Sequence, residues 1–424
     1  MNDQQGPKLP FSSRQLVPGQ LGYRQLSYRQ PSYRQPRRER RRPIVGNKLL
    51  VIASLFLILA FLYAARSYAA RSTTAIQSMS HHPQATLSSQ TALITSRVNR
   101  LLTNLVAHQQ FSGSVLIAHD DQVLLSKGYG MADLDNHTPN TSHTRFYLGS
   151  TTKQFTAMAI LILQERGKLH VGDQLCAYIV HCPLAWQPVT IHELLTHTSG
   201  IPQLNNSPLS YASPQAWIAS YDHIPLAFTP GRQFSYCNIC YQILGYVVEK
   251  VSGEPYTVFL QRAIFDPLQM RDTGFVQDYY SLPGHANGYA SWQVKAESLE
   301  LSVAPQWSFL FGSGLLYSTV EDLYRWDQAL YTHTLISQQS LDEAFNPYTA
   351  SQYAGSSYGY GWFITKAPAP GHRLIWHDGR VDGFRTYIGR YPDDRVTIIF
   401  LSNLATVDEL ALASTLEQIV FAHT

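Results

Sequence analysis

The stretch FYLGSTTKQFTAMAILILQERGKL, Phe146 to Leu169, limits the possible folds more than any other part of the chain. Apolar side chains lie nearly all round it from Phe155 to Leu163, so a helix formed here is buried on every side. A core that deep needs a long chain. With 424 residues, 45% hydrophobic and 14% charged, there is enough for a large core or two subdomains, and the composition is not that of a disordered protein. Yet Lys153 sits near the start of this helix, where burial makes an ammonium group expensive. Ser150 lies three residues earlier, on the same face about a turn away.

The net charge of +3 is unevenly spread. Residues 1–48 carry eleven Lys or Arg against Asp3 and Glu39, so the rest of the chain is acidic on balance and offers no basic surface for nucleic acid. Within this tail the unit GYRQL, SYRQP, SYRQP recurs from Gly22 to Pro36; it is polar, proline-bearing and reads as a disordered cytoplasmic segment. Leu49 to Ala65 follows, seventeen residues without a charge, at the short end of a transmembrane helix. The basic cluster before it keeps the N-terminus in the cytoplasm and makes 49–65 a signal anchor. Cleavage near Ala69, after Ser67-Tyr68, is the rival, although it needs an unusually long leader. Either route delivers the body outside the cytoplasm. Residues 66–91, rich in Ser, Thr, Ala and Gln, read as a flexible linker, and 92–424 as the functional domain.

Four cysteines suit that compartment. Cys176 and Cys182 are the favoured disulfide, with Cys237 and Cys240 as a second candidate pair. A zinc site built from all four is the alternative, though the first pair lacks ordinary ligand spacing.

Periodicity predicts a helix over Ala92–Gln109, then strands Gly113–Ala118 and Gln122–Gly128 joined as a hairpin at His119-Asp120-Asp121. Strands return near the end, at Arg373–His377, Arg385–Tyr391 and Val396–Ser402, before a last helix over Asp408–Phe421. The middle reads as helices and aromatic loops. An α/β (α+β) fold follows, with one antiparallel sheet drawn from both chain ends, flanked by helices and interrupted by a helical subdomain.

Two motifs are decoys. His192 and His197 are five residues apart, so on a helix they diverge by about 140° and do not share a metal. Thr190 and Glu193 make a capping box there instead. Gly355-Ser356-Ser357-Tyr358-Gly359 matches a nucleophile elbow in letters, but a strand or turn follows where a helix is required.

Ser150 and Lys153 are different. A buried lysine has a lowered pKa and can hold a neutral amine, which beside a serine hydroxyl makes an activated nucleophile. Ser150 also opens the helix, where free N–H groups can face a developing oxyanion. Tyr236-Cys237-Asn238 is the one Tyr-x-Asn in the chain, 86 residues after Ser150, and His377-Asp378-Gly379 lies 141 residues after Tyr236. With FSGSVLIA, LLTHTSGIP, FDPLQMRDTGF, GSGLLYSTVEDLYRW, YGYGWF and WHDGRVDGF, this order resembles the serine β-lactamase and penicillin-binding-protein superfamily. Within it the likeness is to the class C-like branch of D-Ala-D-Ala carboxypeptidases, D-aminopeptidases and esterases, and it covers about residues 92–424.

The resemblance implies a β-lactamase/transpeptidase-like fold and a serine hydrolase that needs no cofactor. Its partner would be a small-molecule or peptide substrate, with the membrane bound through 49–65. Ser150 would be acylated, Lys153 would take its proton and Tyr236 would shuttle protons. Asn238 would orient a substrate amide or Lys153, and His377 would hydrogen-bond the substrate or Tyr236. Gly379 would allow close approach, and the N–H groups of Ser150 and Arg380 would form the oxyanion hole. Two departures stand out. Asp378 replaces a small or neutral residue and turns the expectation toward uncharged esters or amides, unless Arg380 or Arg385 neutralises it. Cys237 inside Tyr-x-Asn either braces the loop through a disulfide or stands as a reactive thiol. A penicillin-binding sensor that acylates without turnover, a weak β-lactamase and a zinc-stabilised scaffold are the competing readings.

Overall fold

The computed structural model describes residues 83–204, 208–275, 282–296, 305–366 and 372–422. The basic tail, the apolar 49–65 segment and residues 66–82 of the linker lie outside the described residues. Among the described residues no helix is long and apolar enough to cross a membrane.

Helix α1 (Pro83–Ala107) begins inside the stretch read as linker, ahead of the expected Ala92 start. The reason is local: after Pro83, which suits a first helical position, neither Gly nor Pro occurs until Gly113. Strands β1 (Gly113–His119) and β2 (Gln122–Tyr129) then form the expected hairpin. Its two loop residues, Asp120 and Asp121, have φ of 50° and 62°, the left-handed pair that a two-residue hairpin turn requires.

Six further strands come from the end of the chain: β3 (Thr349–Ala350), β4 (Ser356–Tyr358), β5 (Phe363–Lys366), β6 (Arg373–Val381), β7 (Phe384–Tyr391) and β8 (Val396–Ser402). They join the hairpin in one eight-stranded antiparallel sheet, ordered β3-β4-β5-β6-β7-β8-β1-β2. The two chain ends meet where β1 lies on β8, with Gly113 opposite Ser402 and His119 opposite Val396. Strand β6 continues four residues past its expected end at His377, because Gly379 to Val381 still pair with Thr386 to Phe384. Gly379, in this added stretch, makes a close backbone contact described below.

Side-chain alternation divides the core into two layers. Ile399 and Leu401 of β8 face the helical region, whereas Val396, Ile398 and Phe400 face the other side. Helix α2 (Lys153–Glu165) crosses the first layer with every residue from Lys153 to Leu163 buried. Around it pack α3 (Asn238–Ser252), α4 (Val320–Ala329) and the turn Pro305–Ser313. Helix α5 (Glu409–Phe421) closes the second layer beside α1, burying Leu412, Leu416 and Val420 at four-residue spacing.

Both cysteine pairs are disulfides, Cys176–Cys182 and Cys237–Cys240, so their sulfurs are not available as the alternative zinc ligands or as a reactive thiol. The decoys also resolve. Thr190 and Glu193 form a capping box on a short helix, Ile191–Leu195, and His192 turns to Tyr360 while His197 turns elsewhere. Ser356 and Ser357 lie in β4, which is not an elbow.

Candidate active site

Two glycines let β6 press against the turn Gly149–Thr152 that leads into α2. A Cβ on Gly149 would sit 2.7 Å from the Arg380 amide nitrogen, and the residue has φ +54°. A Cβ on Gly379 would fall 1.9 Å from the Leu148 carbonyl oxygen. The contact is fastened by the Thr386 hydroxyl, which donates to Leu148 O at 2.7 Å. The amide of Arg380 is thereby held against the turn that carries Ser150.

Lys153 is fully buried, and its Nζ has three oxygen partners: Ser150 Oγ at 3.1 Å, Asn238 Oδ1 at 2.8 Å and the Ser313 carbonyl at 2.7 Å. Two of these, the amide and backbone carbonyl oxygens, only accept. A neutral amine satisfies them with its two N–H groups and leaves its lone pair for the Ser150 hydroxyl. Burial lowers the amine to about 7 from its ordinary 10.5, with the Asp378 carboxylate opposing the shift. Its aromatic walls are Tyr236 and Tyr241, whose ring centroids lie 4.8 and 5.6 Å from Nζ.

Tyr236 and Asn238 flank Cys237, the N-cap of α3, whose Sγ accepts the Cys240 N–H at 3.1 Å. This cap fixes where Asn238 starts the helix and aims its oxygen at Lys153. The Tyr236 hydroxyl is buried without a well-aligned hydrogen-bond partner. Burial raises its pKa well above the usual phenol value, while interaction with the Ser150 hydroxyl pulls the other way.

His377 is fully buried and neutral, pushed down to about 3 by burial and by the Lys153 charge. Its Nδ1–H donates to the Asp378 carbonyl at 2.6 Å, so Nε2 accepts from the Tyr358 hydroxyl at 3.1 Å. Both nitrogens are engaged, and Tyr236 is a ring neighbour at 6.3 Å; of the two partners the resemblance implied, substrate or Tyr236, Tyr236 is not hydrogen-bonded to His377. Asp378 is raised to about 6 by burial and by Glu409, with Arg380 opposing. Arg380 Nε lies 3.5 Å from Asp378 Oδ2 and also pairs closely with Glu409, which Arg385 approaches at 3.9 Å.

Ser150, Lys153, Tyr236, Asn238, His377, Gly379 and Arg380 are thus gathered around one point. Sequence reasoning missed the Ser313 carbonyl, which has no side-chain signature, and Tyr358, hidden in the elbow-like decoy. It also missed His197, set aside as structural. Among the described residues no group of three or more His, Cys, Asp or Glu is arranged to hold a metal.

Comparison with known proteins identifies the family. The beta-lactamase family profile matches residues 98–419. Penicillin-binding protein 4* of Bacillus subtilis is 31% identical over 342 residues, spanning 76% of this chain and 75% of that protein. The octameric penicillin-binding protein homologue from Pyrococcus abyssi aligns with a TM-score of 0.69 at 26% identity, over 77% of each chain. A penicillin-binding protein from Bacillus halodurans gives 0.62 at 26% identity, over 74% of this chain and 98% of that one. The chain belongs to the beta-lactamase family, as a penicillin-binding-protein-like member of its serine hydrolases.

Proposed function

We propose that the protein hydrolyses amide or ester substrates, such as D-amino-acid peptides or carboxylic esters, through an acyl-enzyme on Ser150. The observation that carries this reading is the fully buried Lys153 amine, whose Nζ lies 3.1 Å from Ser150 Oγ. Lys153 takes the hydroxyl proton as Oγ bonds to the substrate carbonyl carbon. The N–H groups of Ser150 and Arg380 receive the oxyanion. Tyr236, kept as a phenol by burial, protonates the departing nitrogen or oxygen and recovers a proton from Lys153. Asn238 orients Lys153 and the substrate amide. Water then attacks the ester, giving its proton to the neutral Lys153 amine through the Tyr236 hydroxyl; that proton passes to Ser150 Oγ as the acyl C–Oγ bond breaks, which frees the acid and restores Ser150.

The substrate wall next to Gly379 favours a group without negative charge. Arg380 is already shared by Asp378 and Glu409, which leaves it poorly placed to receive a substrate carboxylate. We place residues 49–65 across a membrane, 1–48 in the cytoplasm and the catalytic unit outside, with cleavage near Ala69 as the other route to the same side. The two disulfides support an oxidising compartment.

The test is to treat the full chain in detergent with a fluorophosphonate, a nitrophenyl ester, a chromogenic cephalosporin and a D-Ala-D-Ala peptide, following intact mass beside turnover. A transient adduct on Ser150, absent in Ser150→Ala, is expected. A permanent adduct would make the protein a sensor, and no adduct from any reagent would sink both readings.

A further inference from the structure

His197 follows the short helix Ile191–Leu195 and takes φ +59°, a left-handed conformation unusual for a residue with a side chain. It holds the chain on both sides of Tyr236. Its carbonyl accepts the Ser235 N–H at 2.9 Å, and its Nδ1 accepts the Cys237 N–H at 3.0 Å. Between these two bonds the imidazole lies along the Tyr236 ring, with centroids 4.3 Å apart and planes 32° from parallel. Tyr358 at 4.8 Å, Tyr241 at 5.0 Å and Phe234 at 5.7 Å complete an aromatic cage around the imidazole.

This geometry restricts what the imidazole can do. Nδ1 accepts, so the proton of the neutral ring sits on Nε2, which is buried without a partner. The ring has no free lone pair to act as a base toward Ser150. Burial, Lys153 and His377 all oppose a charge on it. What remains is mechanical: the residue after Ser235 and before Cys237 cannot move without breaking one of the two N–H hydrogen bonds or sliding off the ring.

We infer that His197 is a positioning residue for proton delivery, holding the Tyr236 phenol at Ser150 by gripping the backbone on both sides of it and packing against its ring. The inference rests on the proposed role of Tyr236 and adds a residue that sets it. Proton delivery matters in proportion to how badly a leaving group needs the proton. Nitrophenolate and fluoride leave unaided, whereas an amine or an alkoxide does not.

The experiment compares the full-length wild type with His197→Ala, His197→Phe and His197→Asn. Asn tolerates the left-handed backbone and offers an oxygen to the Cys237 N–H, but lacks the ring. For a peptide or alkyl ester, kcat in His197→Ala should fall roughly a hundredfold, the lower range for loss of general acid catalysis. KM should hardly move. The acylation burst with a nitrophenyl ester and fluorophosphonate labelling of Ser150, which need no proton on the leaving group, should change far less. His197→Asn and His197→Phe, each keeping half of the grip, should lie between. An equal loss for good and poor leaving groups, or no loss in any variant, overturns the inference. If His197→Ala fails to fold, His197→Asn decides by the same leaving-group comparison. Failure of the wild type to label would instead strike the proposed function itself.

Discussion

Lowering the Lys153 amine from 10.5 to about 7 is worth on the order of 5 kcal/mol. Two or three fully buried Leu or Ile side chains, at about 2 kcal/mol each, offset it, and Ile160 and Leu161 supply such burial on the same helix. Because the folded value lies below the unfolded one, the native state holds fewer protons between about pH 7 and the ordinary lysine value. This group's contribution to stability therefore rises with pH across that window and is absent as a slope below it. The slope should flatten in Lys153→Met when thermal unfolding of both proteins is followed from pH 7 to 10. Acylation needs the free amine, so the acid limb of kcat/KM should bend near pH 7; a limb lying below pH 5 would contradict this assignment. Asp378→Asn removes a charge worth about 1 kcal/mol at close range in water, so kcat/KM for a carboxylate-ended peptide should rise roughly fivefold relative to a neutral ester. Equal change in both substrates would mean that Asp378 does not face the substrate. The residues that meet around Ser150 were legible because their proposed chemistry lives in side chains at recognisable spacing. Ser313 was not, since any residue supplies a carbonyl, and His197 was not, since its grip depends on a loop 40 residues away in sequence.

At the scale of elements, the site depends on where α3 begins. The Cys237–Cys240 disulfide encloses that start, and Cys237 also caps it. Replacing both with serine keeps a capping oxygen but frees the loop that carries Tyr236 and Asn238. A misplacement of about 1 Å at reacting groups costs up to a hundredfold, so a drop in kcat of roughly tenfold is expected in the double variant. The Cys176–Cys182 bridge offers the control. It ties a different segment, around the turn Leu175–Ala177, and closes a loop with sequence separation 6, so its double serine variant should lose about 2 kcal/mol of stability and keep kcat within about twofold. Steady-state kinetics beside chemical denaturation separates the two; equal effects on kcat would remove any special role for the bridge at α3. The elements themselves were readable where pattern and punctuation agreed, as at the Asp120-Asp121 hairpin. They fell short where the apolar pattern ends at His377 while backbone pairing carries β6 on through Gly379 to Val381.

At the scale of the whole molecule, alternating strands at both chain ends already implied a sheet that needs both ends to form. The two ends are joined by the β1–β8 pair, one strand in from the β2 edge, and the rear face is covered by α1 and α5. The onset of α1 was not legible, because an uncharged Ser, Thr and Gln stretch looks like a tether whether or not a helix holds it. That helix now gives the test of where the folded unit starts. Residues 79–424 form one compact unit, and the family match begins at residue 98. A chain starting at Met79 should therefore keep wild-type kcat/KM. A chain starting at Gly113 loses α1 and with it the burial of Ile94, Val98 and Leu102. Three such side chains are worth on the order of 6 kcal/mol, against a total margin of about 5–15 kcal/mol for a folded domain. The shorter chain also bares the apolar rear of the sheet at Val115 and Ile117. It should accumulate as insoluble, inactive protein; a soluble chain from Gly113 with intact turnover would show that α1 is an accessory and that the sheet closes its own rear face.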